Sequence, residues 1–301
     1  MVGILADELI AQSYERMLRK LPGHLIGVAR TMPFRLGIAS RPDDGWDVFT
    51  SHPPMYDLPR FAVDMAAHRG MPISRQQSDL FGHIHRCACF FFLTYDRFLD
   101  GQAEPGPEEQ SLLRHFRRHW EMRLLDACGN GAASTLQAIE TDIDIFKAGA
   151  ASQSSALREK QLSVPHYANT SIQKAQWLTR TTLCMLDATG NSHLCREFRD
   201  IFEQVLLAMQ CFDDALDIEE DTTLWGCDVP RALGISGEGL RRAATLLLSR
   251  AGSQAEEAAL LSLSKWISRY HDTVQNTRFA CDADLASFEA VGVLTQMPTF
   301  R

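Results

Sequence analysis

The stretch from Arg196 to Asp228, REFRDIFEQVLLAMQCFDDALDIEEDTTLWGCD, constrains this chain more than any other. Phe198, Ile201, Phe202, Val205, Leu206, Met209 and Phe212 recur every three or four residues, which predicts a helix with one buried face. That helix then turns acidic, because six of the nine residues from Asp213 to Asp221 are carboxylates. Asp213, Asp217 and Asp221 stand at i, i+4 and i+8, on one helix face. Like charges at that spacing cost roughly 0.2–0.5 kcal/mol a pair. Carboxylates near a helix C-terminus oppose its dipole by about 0.3–1 kcal/mol each. No Lys or Arg lies between Asp200 and Pro230 to offset this. A hard divalent cation such as Mg²⁺, which takes oxygen ligands and shares them with substrate phosphates, would do so. A solvated acidic helix end running into a loop is the other account of the same residues.

A second helix ends in the same way. Ser74 with Gln77 three residues on forms a capping-box signature. The apolar positions Leu80, Ile84, Cys87 and Phe91 then lead to Tyr95-Asp96-Arg97-Phe98-Leu99-Asp100. Asp96 and Asp100 are i, i+4, with Cys89, Phe92 and Leu93 on the same side one and two turns earlier. Were the two acidic ends to face each other, they would grip metal ions above an aromatic pit. An ordinary helix end stopped by Gly101 is the alternative.

Composition narrows the classes. The net charge of −8, with basic residues scattered rather than striped, argues against a nucleic-acid surface. The longest apolar run, near Cys87 to Tyr95, is too short to cross a bilayer. The eight cysteines lie mostly in apolar helical runs with no CxxC pair, and the first residues do not read as a signal peptide. Reduced, buried thiols of a cytoplasmic protein are the expectation. Cys87 and Cys89 point to different sides of their helix, which disfavours a zinc role for that pair. With no internal repeat and no linker, residues 1–301 read as one domain.

The remainder of the chain reads as helices. Residues 1–20 are amphipathic, and 22–56 have weak periodicity, with the acidic RPDDGWD of 41–47 as a solvated loop. Helices are expected over 58–68 and 107–128. His115 and His119 are i, i+4 among Arg114, Arg117 and Arg118, and read as a basic surface face rather than as zinc ligands. A helix over 132–147 is expected to break at AGAASQSSA, with helical signal returning over 157–162 and 169–187. Two helices follow Gly237, and the tail from Asp282 suits a short helix or a lid. No segment alternates convincingly as a strand. An all-α fold of roughly ten helices is predicted.

Taken together, the two acidic ends resemble those of the class I isoprenoid synthases, the trans-prenyl diphosphate synthases and class I terpene synthases. The match is most specific over about 70 residues. There Lys160, Tyr167, Lys174-Ala175 and Met209-Gln210-Cys211-Phe212-Asp213-Asp214-Ala215-Leu216-Asp217 resemble the family's Lys, Tyr, Lys-Thr and Phe-Gln-x-x-Asp-Asp-x-x-Asp. The chain departs from the elongating members. It lacks their N-terminal Gly-Gly-Lys-Arg, its first motif is Asp96-Arg97-Phe98-Leu99-Asp100 with no arginine pair after it, and Gly226 is followed by Cys227 rather than Lys. Those basic groups hold the second diphosphate in the elongases. The terpene synthases place Asn or Asp, Ser or Thr, and Glu at i, i+4 and i+8, the spacing of Asp213, Asp217 and Asp221. Many bacterial members also carry a late Arg-Tyr, as Arg269-Tyr270 does here, although packing on a late helix accounts for that pair more simply.

The resemblance implies a helical bundle around a central cavity and a Mg²⁺-dependent terpene synthase acting on a C15 or C20 prenyl diphosphate. It implies Asp96, Asp100, Asp213 and Asp217, with Asp214 and Asp221, as metal ligands, and three ions with bound diphosphate. Lys174, with Arg158 and Lys160, would neutralise the diphosphate; Tyr167 and Gln210 would belong to the same site. Phe92, Cys89, Leu206 and Met209 would line the pocket in which the substrate ionises to a carbocation. A homodimer is the common assembly in these families. Two other readings stand beside this one: a prenyltransferase joining two substrates, and a catalytically weak partner subunit, for which Arg97 and Cys227 are the motive.

Overall fold

The structure is a computed structural model and describes residues 2–46, 53–129 and 132–277. Among these are fourteen α-helices and no strand, as an all-α fold requires. In chain order they are α1 (Val2–Leu18), α2 (Gly23–Arg30), α3 (Met32–Arg35), α4 (Pro53–His68), α5 (Arg75–Leu99), α6 (Pro107–Cys128) and α7 (Ala132–Glu159). There follow α8 (Val164–Ala175), α9 (Trp177–Ala188), α10 (Cys195–Leu216), α11 (Ile218–Trp225), α12 (Val229–Leu233), α13 (Gly237–Glu257) and α14 (Leu261–Asn276). Asp47 of the RPDDGWD loop, Cys281 and the tail from Asp282 lie outside the described residues. No helix among the described residues is long and apolar enough to cross a membrane.

The chain divides into two compact units. Unit 1 comprises residues 1–141 and 178–192, and unit 2 comprises residues 142–177 and 193–301. In unit 1, α5 is the packing centre. Its start is a complete capping box, in which Ser74 Oγ accepts from the Gln77 N–H at 3.2 Å and the Gln77 side chain accepts from the Ser74 N–H at 3.1 Å. Phe90 lies in an aromatic cluster with Tyr14 and Trp46, and Phe92 meets the Trp120 ring edge-on at 5.4 Å. The Tyr14 hydroxyl donates to the Ala29 carbonyl at 2.6 Å, so the polar end of a buried ring is satisfied. In unit 2 the centre is α10, packed on α13, with α14 against α13. Its Phe198 and Phe202 stack at 6.0 Å.

Five expectations are corrected. The stretch AGAASQSSA does not break a helix: α7 runs 28 residues through it, since Ala, Ser and Gln are all compatible with a helix interior. Gly149 within it has a packing reason, because a Cβ there would lie 2.9 Å from Gln173 Cβ and 3.3 Å from the Thr170 carbonyl. The absence of a side chain lets α7 approach α8. The weakly periodic 22–56 region holds α2 and α3, helices too short for periodicity to register. Leu80, assigned to the apolar body of α5, is 41% exposed. His119, assigned to a basic surface face, is buried, while its neighbours Arg114 and Arg118 are exposed. Of the cysteines, Cys87, Cys89, Cys211 and Cys227 are buried, whereas Cys128, Cys184 and Cys195 are only half-buried.

Candidate functional site

In unit 2 the acidic residues gather where α10 gives way to α11. Asp217 is the joint: its φ of −89° and ψ of 19° leave the helical region, yet the i to i+4 bonding carries on across it. The Asp217 N–H donates to the Asp213 carbonyl at 3.0 Å, and the Asp221 N–H donates to the Asp217 carbonyl at 2.8 Å. The break also places Glu219, Glu220 and Asp221 in the first turn of α11, where the helix dipole favours negative charge instead of opposing it. Part of the cost anticipated for one continuous acidic helix is thereby removed. Gly226, at a φ of 73°, ends α11 in the left-handed conformation that suits glycine. Asp228 then caps α12 by accepting from the Arg231 N–H at 2.8 Å.

The carboxylates do not share one environment. Asp213 is exposed, and Asp217 and Asp221 are half-buried. Asp214 is turned inward, at 6% exposure. Its Oδ2 accepts from the Tyr167 hydroxyl at 2.6 Å and its Oδ1 from Gln210 Nε2 at 2.8 Å. Burial pushes the Asp214 carboxyl up to about 7, with Asp221 adding to the rise. The Tyr167 and Gln210 hydrogen bonds and the charge of Lys174 oppose it. Asp221 is also pushed up to about 7, first by burial and then by Asp217, with Asp213 and Glu220 adding to the rise and Lys174 opposing it. Its Oδ2 is buried and accepts no hydrogen bond. Lys174, on α8, therefore acts on both acids.

Tyr167, on the same helix, is completely buried. Its ring stands beneath the cluster as the support of Asp214. The other basic candidates are further out. Arg158, near the end of α7, is exposed and lies over the Trp225 ring of α11, 4.9 Å from its centroid. Lys160 follows α7 as an exposed residue with a φ of 55°. Of the apolar candidates on α10, Leu206 is buried and Met209 half-buried.

Aromatic residues of α14 also reach this end of α10. The Tyr270 ring meets Phe212 edge-on at 6.0 Å and stacks on Trp266 at 5.1 Å. Burial and the nearby charge of Asp213 hold the Tyr270 phenol well above its usual range. Packing thus accounts for Tyr270, as expected, but it packs beside the acids. Neither Trp266 nor Trp225 was singled out in the sequence, although the i, i+4 pair Trp266 and Tyr270 was a usable signal for an aromatic face.

In unit 1, Asp96 and Asp100 lie at the end of α5, both half-buried. The Asp100 N–H donates to the Asp96 carbonyl at 2.9 Å, and Gly101, at a φ of 72°, stops the helix. Phe92 and Cys89, the proposed pocket lining, have no exposed surface. Cys89 gives its S–H to the Met55 carbonyl, so its thiol is engaged with α4. A cavity of about 630 Å³ in unit 2 opens at the start of α10, lined by His193, Arg196, Glu197, Asp200, Arg250 and Glu257 among others. Its charged walls do not suit a prenyl chain.

The carboxylates fit a hard cation. The donors are all oxygen, Asp213 and Asp217 are accessible, and Asp221 holds a buried oxygen that lacks a donor. The chain matches no protein-family model and no curated protein. Among solved structures it is similar to the crystal structure of a polyprenyl synthetase from Streptomyces coelicolor A3(2), at 13% sequence identity, with a TM-score of 0.56 over 98% of each chain. The chain therefore has an isoprenoid synthase-like helical fold.

Proposed function

We propose that the protein is a Mg²⁺-dependent enzyme of prenyl diphosphates, and within that class a terpene synthase that ionises one allylic diphosphate. One observation carries the reading: Asp213, Asp217 and Asp221 gather at the α10–α11 joint, with Lys174 acting on Asp221 and on the neighbouring Asp214. Asp213, Asp217 and Asp221 would hold the metal. When bound, Mg²⁺ supplies Lewis acidity toward the leaving diphosphate. Lys174 would take the charge of the diphosphate as it departs. Asp214 has both oxygens occupied, so its part is to position α10 against α8 through Tyr167. Asp221, held at about 7, would have to be deprotonated to serve as a ligand. Phe212, Tyr270 and Trp266 supply ring faces suited to a carbocation, each worth about 0.5–2 kcal/mol. Asp96 and Asp100 belong to unit 1, and substitution decides whether they serve the same turnover.

A second reading, prenyl transfer between two substrates, is supported by the fold shared with a polyprenyl synthetase. Incubation with C10, C15, C20 and C25 diphosphates and Mg²⁺, with and without isopentenyl diphosphate, separates the two. Hydrocarbon or alcohol products with released diphosphate from one substrate are expected. A longer prenyl diphosphate formed only with isopentenyl diphosphate selects the transferase. No turnover under any combination removes both and leaves a regulatory subunit.

A further inference from the structure

Apart from the acidic cluster, unit 1 buries a second group of potential metal ligands. His83 and Cys87 are one turn apart on α5 and leave the same face, and His119 comes from α6. One ligand atom from each lies within 4.8 Å of the other two. Cys87 Sγ is 3.9 Å from His83 Nε2, and the two imidazoles meet edge to face with centroids 6.1 Å apart. Cys87 has no exposed surface, and each histidine is 7% exposed. Nδ1 of His83 and Nε2 of His119 are buried and have no hydrogen-bond partner. An unsatisfied buried polar atom costs about 1–3 kcal/mol. Each imidazole of the group carries one, on Nδ1 of His83 and Nε2 of His119, while Nε2 of His83 is the atom that faces the thiol.

We propose that His83, Cys87 and His119 form a buried site for one thiophilic transition-metal ion, Zn²⁺ or Cu⁺. Two imidazoles and a thiolate are donors that such ions select and Mg²⁺ does not. Zinc bound at usual lengths sets neighbouring donor atoms about 3.4–3.6 Å apart. The set closes onto an ion by contracting between a few tenths of an ångström and at most about 1.4 Å, within the reach of side-chain rotation. Burial holds the imidazoles neutral, His83 down to about 3 and His119 down to about 4, the state a metal needs. Burial also holds the Cys87 thiol up at about 12, so the ion must displace its proton to solvent as the metal–sulfur bond forms. The surroundings are basic: Arg16, Arg86 and Arg123 act on His83, Arg86 and Arg123 on Cys87, and Arg123, Lys20 and His115 on His119. Asp57 partly offsets Arg86 at 3.9 Å. A Zn²⁺–thiolate pair carries one positive charge there and a Cu⁺–thiolate pair none, so the surroundings oppose Cu⁺ least.

The test uses the full chain after treatment with a chelator. Titration with Co²⁺, the spectroscopic stand-in for Zn²⁺, is expected to give one equivalent bound with a thiolate-to-cobalt charge-transfer band and tetrahedral visible bands, all erased by Zn²⁺. Anaerobic titration with Cu⁺ against a competing chelator forms the other arm, and the tighter ion is the occupant. Cys87→Ser should remove the charge-transfer band. His119→Gln should weaken binding of either ion at least about tenfold, since even partners outside the ligand set are worth 10–100-fold. Asp213→Asn should leave both unchanged, which separates this site from the acidic one. No thiolate band and no retained Cu⁺ in the unsubstituted chain overturn the proposal, and so does a band that survives Cys87→Ser. Circular dichroism checks each variant; if Cys87→Ser does not fold, the unsubstituted chain and His119→Gln decide.

Discussion

Helices α5 and α10 look alike in sequence, each a long apolar rod with carboxylates at its end, but they differ in how far their buried polarity extends. The buried polarity of α10 reaches the tip: besides Glu203 and Gln204 in the body, Asp214 is buried there and held by Tyr167 and Gln210. In α5 it is in the body: His83, His85, Arg86, Cys87 and Cys89 are all buried, and Asp96 and Asp100 at the tip are half-exposed. Arg86 is neutralised from other helices, donating to Ser13 Oγ at 2.7 Å and to the Tyr56 carbonyl at 2.9 Å beside Asp57. His85 Nε2 lies 2.8 Å from the Pro54 carbonyl. A helix end is thus given its chemistry by what packs on it. Helix α8 brings Tyr167 and Lys174 to the tip of α10.

The largest effect that would break this contrast is on turnover. Asp213→Asn is expected to lower kcat/KM for an accepted prenyl diphosphate by about 10²–10³-fold, the scale of losing one electrostatic stabiliser of a transition state. Asp96→Asn, assayed beside it, is expected to fall by a similar factor. A near-normal rate in Asp96→Asn would confine the chemistry to α10, and a near-normal rate in Asp213→Asn would remove the acidic cluster from it.

Next is the support under the tip. Tyr167→Phe leaves Asp214 Oδ2 buried without its donor, and a stability loss of about 1–3 kcal/mol is expected in chemical denaturation. Because that hydrogen bond opposes the rise in the Asp214 carboxyl, its removal should also move the acid limb of the pH–rate profile upward. A loss of stability with an unmoved profile would make Tyr167 a packing residue only.

Much of this was legible beforehand, for identifiable reasons. The α5 capping box and the bounds of α6 at Pro107 and Cys128 followed from local patterns that tertiary packing left undisturbed. The continuity of α7 did not, because the tolerance of Gly149 depends on Thr170 and Gln173 of another helix. Nor did the inward turn of His119. Its i, i+4 partner His115 and the flanking arginines described a surface, while the residues that meet it, His83 and Cys87, lie more than thirty positions earlier. Asp213, Asp214 and Asp217 were read as one set, and the sequence had no means of showing that the Asp214 side chain turns toward Tyr167.

The pH dependence has a smaller effect and a fixed sign. Asp214 and Asp221 stand at about 7 in the folded chain, above the ordinary carboxylate value. The folded state therefore holds protons that the unfolded state has released. That contribution is complete below about pH 4, the unfolded carboxylate range, and is lost as the pH rises through about 7. In chelator, the melting temperature is expected to decline over this window, less steeply in Asp221→Asn. Mg²⁺ needs the deprotonated acids, so its affinity, measured by titration calorimetry with diphosphate present, should climb over the same window and level off above it. Affinity independent of pH would place the ion elsewhere.

The smallest expected effect concerns Arg158, for which sequence and structure suggest different work. The resemblance gives it to the substrate diphosphate; the structure seats it over Trp225, tying the end of α7 to α11. A cation on an exposed ring is worth about 0.5–1 kcal/mol. Arg158→Ala is expected to cost that much stability and to speed amide hydrogen exchange along residues 218–225, with KM for a prenyl diphosphate little changed. A several-fold rise in KM with unaltered exchange would return Arg158 to the substrate. Arg158→Lys sharpens the choice, because a lysine keeps the charge that a diphosphate needs but loses the flat guanidinium that stacks on an indole.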